Sequence, residues 1–158
     1  MPVELQNNQR RLRGETGRIK KAGEALLAAV NRSGVVLSIL LTDDRAMRRL
    51  HSRWMGDPRP TDVLSFPAHE RVRRPHTHSC ARRFADSLIL GDIAISVETA
   101  VHRNPKNPLE EVLDCLIHGL LHLVGFDHVR LQERQRMNRQ ARRLRKVVSG
   151  ALDGAKSA

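Results

Sequence analysis

Cysteine is scarce in this chain. Cys80 and Cys115 are the only two, too few for a disulfide framework and in keeping with a reducing compartment. Long apolar runs are also missing. The longest, such as Val35 to Leu41 with Ser38 inside it, fall far short of the ~20 residues that a membrane-spanning helix needs. The opening stretch M-P-V-E-L-Q-N-N-Q-R-R-L-R has no apolar segment of the signal-peptide kind, so a cytoplasmic protein with no membrane partner is expected. Acidic residues are outnumbered: 17 Asp and Glu stand against 28 Lys and Arg, a formal charge of +11. Such an excess favours a polyanionic partner, RNA or DNA ahead of an anionic membrane. The 158 residues suit one domain with a real core. We place it at residues 1–150, followed by a flexible, small and polar tail at 151–158.

The chain does contain H-G-L-L-H-L-V-G-F-D-H, running from His118 to His128. A spacing of four puts His118 and His122 one turn apart on the same helix face, where their imidazoles converge. Gly125 is free to take the left-handed conformation that ends helices, letting the chain swing back and deliver His128 as a third ligand. A lone histidine on an apolar helix face is more often a core residue. Three at spacings of four and six, with a glycine at the bend, form a metal site. Three neutral imidazoles suit one Zn²⁺ and leave a fourth tetrahedral position open to water or substrate, the pattern of a catalytic rather than a structural site.

One further absence sharpens this motif. Zinc peptidases of the H-E-x-x-H type carry a glutamate base directly after the first histidine, and here that position is Gly119. Asp127 is a candidate to orient a histidine or relay a proton, with capping of the following helix as the plainer role. Cys115 lies one turn before His118 and reads as a buried small residue.

The rest of the chain alternates strand and helix. Val3 to Leu5 reads as a first strand, and Gly17 to Asn31 has helical apolar spacing. Val35 to Leu41 is a buried strand, followed by a helix from about Ala46 to Arg53 behind the capping residues Thr42, Asp43 and Asp44. Pro60 and Pro67 bracket a short strand T-D-V-L-S-F, and Ser87 to Ile95 gives another. Helices are expected at Val97 to His102, Leu109 to Val124 and Val129 to Val148. The last has eight basic side chains beside one apolar stripe, an anion-facing surface. Between His69 and Ser87 lies an arginine-rich stretch with His76, His78 and Cys80. It lacks usual zinc spacing and reads as a basic, RNA-contacting loop.

The three-histidine stretch closely resembles the signature of the YbeY family of bacterial endoribonucleases. P-T-D-V-L-S-F-P at Pro60 to Pro67 and L-G-D-I-A-I-S at Leu90 to Ser96 are similar to two further blocks of that family, in the same order. The resemblance runs from about Val35 to Val129. It implies an α+β fold, a single compact zincin-like domain in which a small mixed sheet of about four strands packs with about five helices and the metal helix lies over the sheet. It implies a zinc-dependent, single-strand-specific endoribonuclease with one zinc per chain at His118, His122 and His128. The expected substrate is precursor ribosomal RNA at the 3′ end of the small-subunit species, and the expected partner is the ribosome or its small subunit, in maturation and quality control. One departure stands out. Many members of the family have an arginine six residues before the threonine of the T-D-V-L-S-F-P block, where this chain has Met55. Arg53 and Arg59 are the candidates to supply that guanidinium to substrate phosphate. A zinc-stabilised RNA- or ribosome-binding module without turnover is the competing reading, and a metalloprotease is the third.

Overall fold

Period-two alternation of apolar residues builds the sheet. The computed structural model describes residues 2–68 and 89–154. Within them lie strands β1 (Val3–Asn7), β2 (Val36–Thr42), β3 (Val63–Pro67) and β4 (Ile89–Ser96). Helices are α1 (Thr16–Ala29), α2 (Asp44–Met55), α3 (Val97–Arg103), α4 (Pro108–Leu123) and α5 (Leu131–Asp153), with a 3-10 turn at Arg13–Glu15. The strand order is β1-β2-β4-β3. β1, β2 and β4 run parallel, and β3 pairs antiparallel with β4 at the edge. This is the expected α+β architecture in one compact domain.

The alternation assigns the two faces of the sheet. Leu37, Ile39 and Leu41 of β2 and Ile93 and Ile95 of β4 point to one side, into a core with Ile19 and Leu26 of α1, Leu116 and Leu120 of α4, and Met137 and Leu144 of α5. Each fully buried leucine or isoleucine there contributes about 1.5–3 kcal/mol. On the other face a smaller cluster joins Met47 of α2 to Leu64 and Ala94, with Leu40, Leu50 and Phe66 at its margin. α2 is fixed at its start by Asp43, whose carboxylate accepts from the Ala46 amide at 2.7 Å. Asp44 ties it to the β4–α3 junction, accepting from the Ser96 and Thr99 hydroxyls. No helix among the described residues is long and apolar enough to cross a membrane.

Two expectations need correcting. The last helix does not stop at Val148 but continues to Asp153, because Leu152, one turn on, is buried against the core, so residues 151–153 are helical. Its basic side chains are also not all free for an anion: Arg143 donates to the Ala29 carbonyl and Arg145 to Asp114 at 2.6 Å, tying α5 to its neighbours. The stretch from His69 to Leu88, with His76, His78 and Cys80, lies outside the described residues.

β4 opens on a backbone position that only glycine suits. Gly91 has φ 154°, and a Cβ there would press on the Phe66 carbonyl oxygen and lie 3.0 Å from Leu123 Cδ2. Gly91→Ala is therefore expected to cost about 3 kcal/mol or more, combining backbone strain with overpacking. Thermal unfolding followed by circular dichroism measures it; an unchanged midpoint would show that the β3–β4 pairing does not hold Gly91 in this geometry.

Candidate metal centre

The site grows out of α4. Asn107 precedes the helix, its side chain accepting from the Glu110 amide, and Pro108 occupies the first turn, where its missing N–H costs nothing. Leu109, Val112, Leu116, Leu120 and Leu123 bury one side of the helix, which leaves His118 and His122 on its open side. At the far end the Gly125 amide donates to the His122 carbonyl at 3.1 Å and the Phe126 amide to the Leu121 carbonyl at 2.9 Å. This is the paired closure of a Schellman motif, with Gly125 at φ 100°. The reversal brings His128 back over α4.

His118 Nε2 and His122 Nε2 lie 3.1 Å apart. The ring centroids are separated by 4.6 Å for His118 and His122, 6.0 Å for His118 and His128, and 5.2 Å for His122 and His128. One ligand nitrogen from each falls within 4.8 Å of the others, so the three can hold one metal ion. A tetrahedral ion with bonds of about 2.0–2.1 Å separates its donors by about 3.3 Å, so the His118–His122 pair is already near that spacing. Burial lowers the pKa of His118, with the His128 charge adding to the effect and Asp62 opposing it. Burial also lowers that of His122, helped by His118 and His128. Both rings are therefore held in the neutral form that ligates metal.

The histidines open onto a groove of about 600 Å³ between α4 and the edge strand β3, lined also by Met55, Thr61, Asp62, Ser65, Phe126 and Asp127. Met55 thus faces the metal site, as its place in the sequence implied. Neither Arg53 nor Arg59 lines this groove. Arg59 is turned back onto Asp57, its Nε 2.9 Å from both carboxylate oxygens, and Arg53 lies over the Trp54 ring. Asp127 is on the groove wall but does not cap α5, whose start at Arg130 has no side-chain cap. Its carboxylate accepts instead from the His128 amide at 2.7 Å and lies 3.9 Å from His128 Nδ1, fixing the third ligand's backbone.

Gly119 is not a vacancy beside the three histidines. It is buried against the sheet, where an added Cβ would lie 2.9 Å from Ile93 Cγ2 and 3.0 Å from Ser65 Oγ, and its carbonyl accepts from Ser65 Oγ at 3.1 Å. The glycine sets how closely α4 approaches β3 and β4.

A neighbouring group had not been singled out from the sequence. Asp62, Glu111 and Cys115 bring their polar atoms within 4.8 Å of one another. Arg103 already supplies the cation there, bound to Asp62 and 3.4 Å from Glu111. Burial, reinforced by the Asp62 and Glu111 charges, pushes the Cys115 thiol up to about 12, so it remains a neutral core residue. Asp62 belongs to the T-D-V-L-S-F-P block, but Arg103 stands 41 residues away, and only the fold brings the two together.

Comparison with known proteins gives the chain its relatives. The family model described as Endoribonuclease YbeY matches residues 4–149. The chain is 36% identical over 158 residues to an Endoribonuclease YbeY from Anaeromyxobacter sp., covering 96% of this chain and 76% of that one. It is 37% identical over 118 residues to the Endoribonuclease YbeY of Persephonella marina, covering 73% and 71%. The solution structure of TM1509 from Thermotoga maritima shares the fold, with a TM-score of 0.60 at 20% identity over 97% of this chain and 93% of that one.

Proposed function

This chain belongs to the YbeY family of endoribonucleases, and on that premise we propose that it is a zinc-dependent endonuclease acting on single-stranded RNA in ribosomal RNA maturation. The observation that carries the reading is the convergence of three histidines, two of them with pKa values lowered by burial, on an open groove of about 600 Å³. His118, His122 and His128 hold one zinc ion, for which a set of three imidazoles is well suited. When bound, zinc supplies the Lewis acidity that stabilises negative charge on a five-coordinate phosphorus. The chain's own residues set the geometry. Asp127 fixes His128, Gly125 closes the helix so that the third ring returns, and the segment from Thr61 to Ser65 forms the facing wall of the groove.

The substrate is precursor ribosomal RNA and the setting is the small ribosomal subunit. The charge of +11 gives affinity for polyphosphate, and single strands rather than duplex fit a groove lined by one helix and one edge strand. Matched preparations of the wild type and a His118→Ala, His122→Ala, His128→Ala variant, incubated with precursor RNA and ribosomes, test this. Wild type is expected to trim the 3′ region over multiple turnovers and the variant to leave it intact. Equal trimming by both would sink the proposal.

One observation favours the reading without turnover: among the described residues no lysine or arginine lines the metal groove, where Met55 stands instead. A zinc-stabilised binding module then retains RNA in a salt-sensitive way and releases no product. If the groove cuts, Met55→Arg is expected to lower KM for RNA several-fold by adding a phosphate contact; if it only binds, the same change tightens binding with no product formed. Steady-state cleavage kinetics beside a filter-binding isotherm separate the two.

A further inference from the structure

Trp54 is the one tryptophan of the chain, and it is 62% exposed. An indole left in water at that level needs an account, since its apolar surface is usually buried. The ring is not loose. Phe66 meets it edge-on, with centroids 6.2 Å apart at 65°, and the Arg53 guanidinium lies 5.6 Å from its centroid. The adjacent residue, Met55, forms part of the metal groove wall. Trp54 itself borders a separate depression of about 680 Å³ on the opposite side of the sheet, shared with Leu50 and Phe66 and floored in part by Ser38 and Asp92.

The helix that carries Trp54 is strongly cationic. Arg45, Arg48, Arg49 and Arg53 are all exposed, and neither Arg45 nor Arg49 has an ion-pair partner among the described residues. Arg45, Arg49 and Arg53 follow one another at spacings of four, a row along about 12 Å of helix. The acid at the start of α2, Asp44, is engaged with Ser96 and Thr99. A braced aromatic with one guanidinium, that of Arg53, over its ring and two more, Arg45 and Arg49, without an ion-pair partner among the described residues has the composition of a surface that stacks unpaired bases and holds the phosphates between them.

We propose that Trp54 stacks a base of single-stranded RNA where the strand passes the rim of the metal groove, with Arg49 and Arg53 on the flanking phosphates. The proposal rests on the nuclease reading for its ligand, and it deepens that reading by giving the strand a second hold outside the groove. It also accounts for how a chain with Met55 in the groove keeps its substrate: the cationic contact comes from elsewhere on the same helix, α2. Duplex RNA hides its base faces and cannot make this contact. An anionic membrane fits less well, because Trp54 and Met55 are the exposed large apolar residues of α2 and both sit in its last turn.

The chain's single tryptophan and lack of tyrosine make Trp54 its own reporter. Full-length, zinc-loaded protein is titrated with a 2′-O-methylated single-stranded oligonucleotide while tryptophan emission is recorded, and the titration is repeated in EDTA. Emission should be quenched by at least about a third in both conditions, whereas heparin, duplex RNA and phosphatidylserine vesicles leave it nearly unchanged. Anisotropy of a labelled oligonucleotide should show Trp54→Ala weakening binding about tenfold and Trp54→Phe keeping most of the affinity. Equal quenching by heparin, a response to vesicles in place of RNA, or a complex seen by anisotropy with no change in emission each overturns the stacking role. The last of these leaves the nuclease reading standing. Quenching with no cleavage of unmodified RNA overturns the nuclease reading and leaves the platform.

Discussion

A protein carrying His118→Ala and His122→Ala together is expected to lose bound zinc and RNA cleavage in the same step, with turnover falling by at least about a thousandfold. The magnitude follows from removing a Lewis acid that contributes several kcal/mol to charge stabilisation at phosphorus, each 1.36 kcal/mol being a factor of ten in rate. His128 alone, on the irregular segment after α4, cannot hold the ion at useful affinity. The fold should survive, because neither histidine belongs to the buried core and partly exposed substitutions usually cost little. Zinc content by atomic absorption, far-ultraviolet circular dichroism and cleavage rate are read on the same sample. Loss of zinc with cleavage retained would remove the metal from the reaction.

The second large effect concerns Gly119. Gly119→Glu recreates the H-E-x-x-H pattern in the sequence, and a reading by motif alone expects a peptidase from it. The structure leads to a different result. Any Cβ at this position meets Ile93 Cγ2 at 2.9 Å and Ser65 Oγ at 3.0 Å, so α4 must lift off β3 and β4 or the sheet must shift. Overpacking of that kind costs about 1–3 kcal/mol, and a carboxylate brought into the same buried layer adds a further desolvation penalty. The gain in helix propensity over glycine is about 1 kcal/mol at most. We expect a loss of several kcal/mol in chemical denaturation and no digestion of casein by the zinc-loaded variant. Gly119→Ala isolates the steric part and should be destabilised less, with the carbonyl bond from Ser65 weakened. Wild-type stability in Gly119→Glu would mean that α4 does not lie as close to the sheet as described, and casein digestion would revive the peptidase reading.

The three-histidine cluster was legible because everything that places it is local. The spacing of His118 and His122 is a property of any helix, and Gly125 announces the reversal that returns His128. The strands and most helices were legible for the same reason, through period and caps such as Asp43 and Asn107. What could not be read was where long polar side chains turn. Arg59 is captured by Asp57 within its own turn and Arg53 by its neighbour Trp54, so neither lines the groove that their positions in sequence seemed to favour. Of the two roles open to Asp127 in sequence, orienting a histidine or capping α5, the cap is not made, and its carboxylate accepts from the His128 amide instead. The link from Asp62 through Arg103 to Glu111 depends on β3 lying beside the α3–α4 corner, and strand order β1-β2-β4-β3 leaves no mark on the linear pattern. The end of α5 was missed for a different reason. Leu152 stands at helical spacing from Val148, but the small, polar composition of residues 151–158 reads as a tail, which burial of Leu152 overrides as far as Asp153.

The central claim is that three histidines hold a catalytic zinc, and zinc restoration tests it most directly. Protein stripped by chelation and dialysed is titrated with zinc while the initial rate of cleavage of a single-stranded ribosomal RNA precursor is followed, beside the His118→Ala, His122→Ala, His128→Ala variant prepared in parallel. The account predicts no cleavage at zero zinc, a rate that rises linearly and breaks at about one equivalent per chain, several turnovers per molecule, and no response from the variant. A rate independent of zinc, or RNA binding that returns with zinc while no product forms, would contradict it.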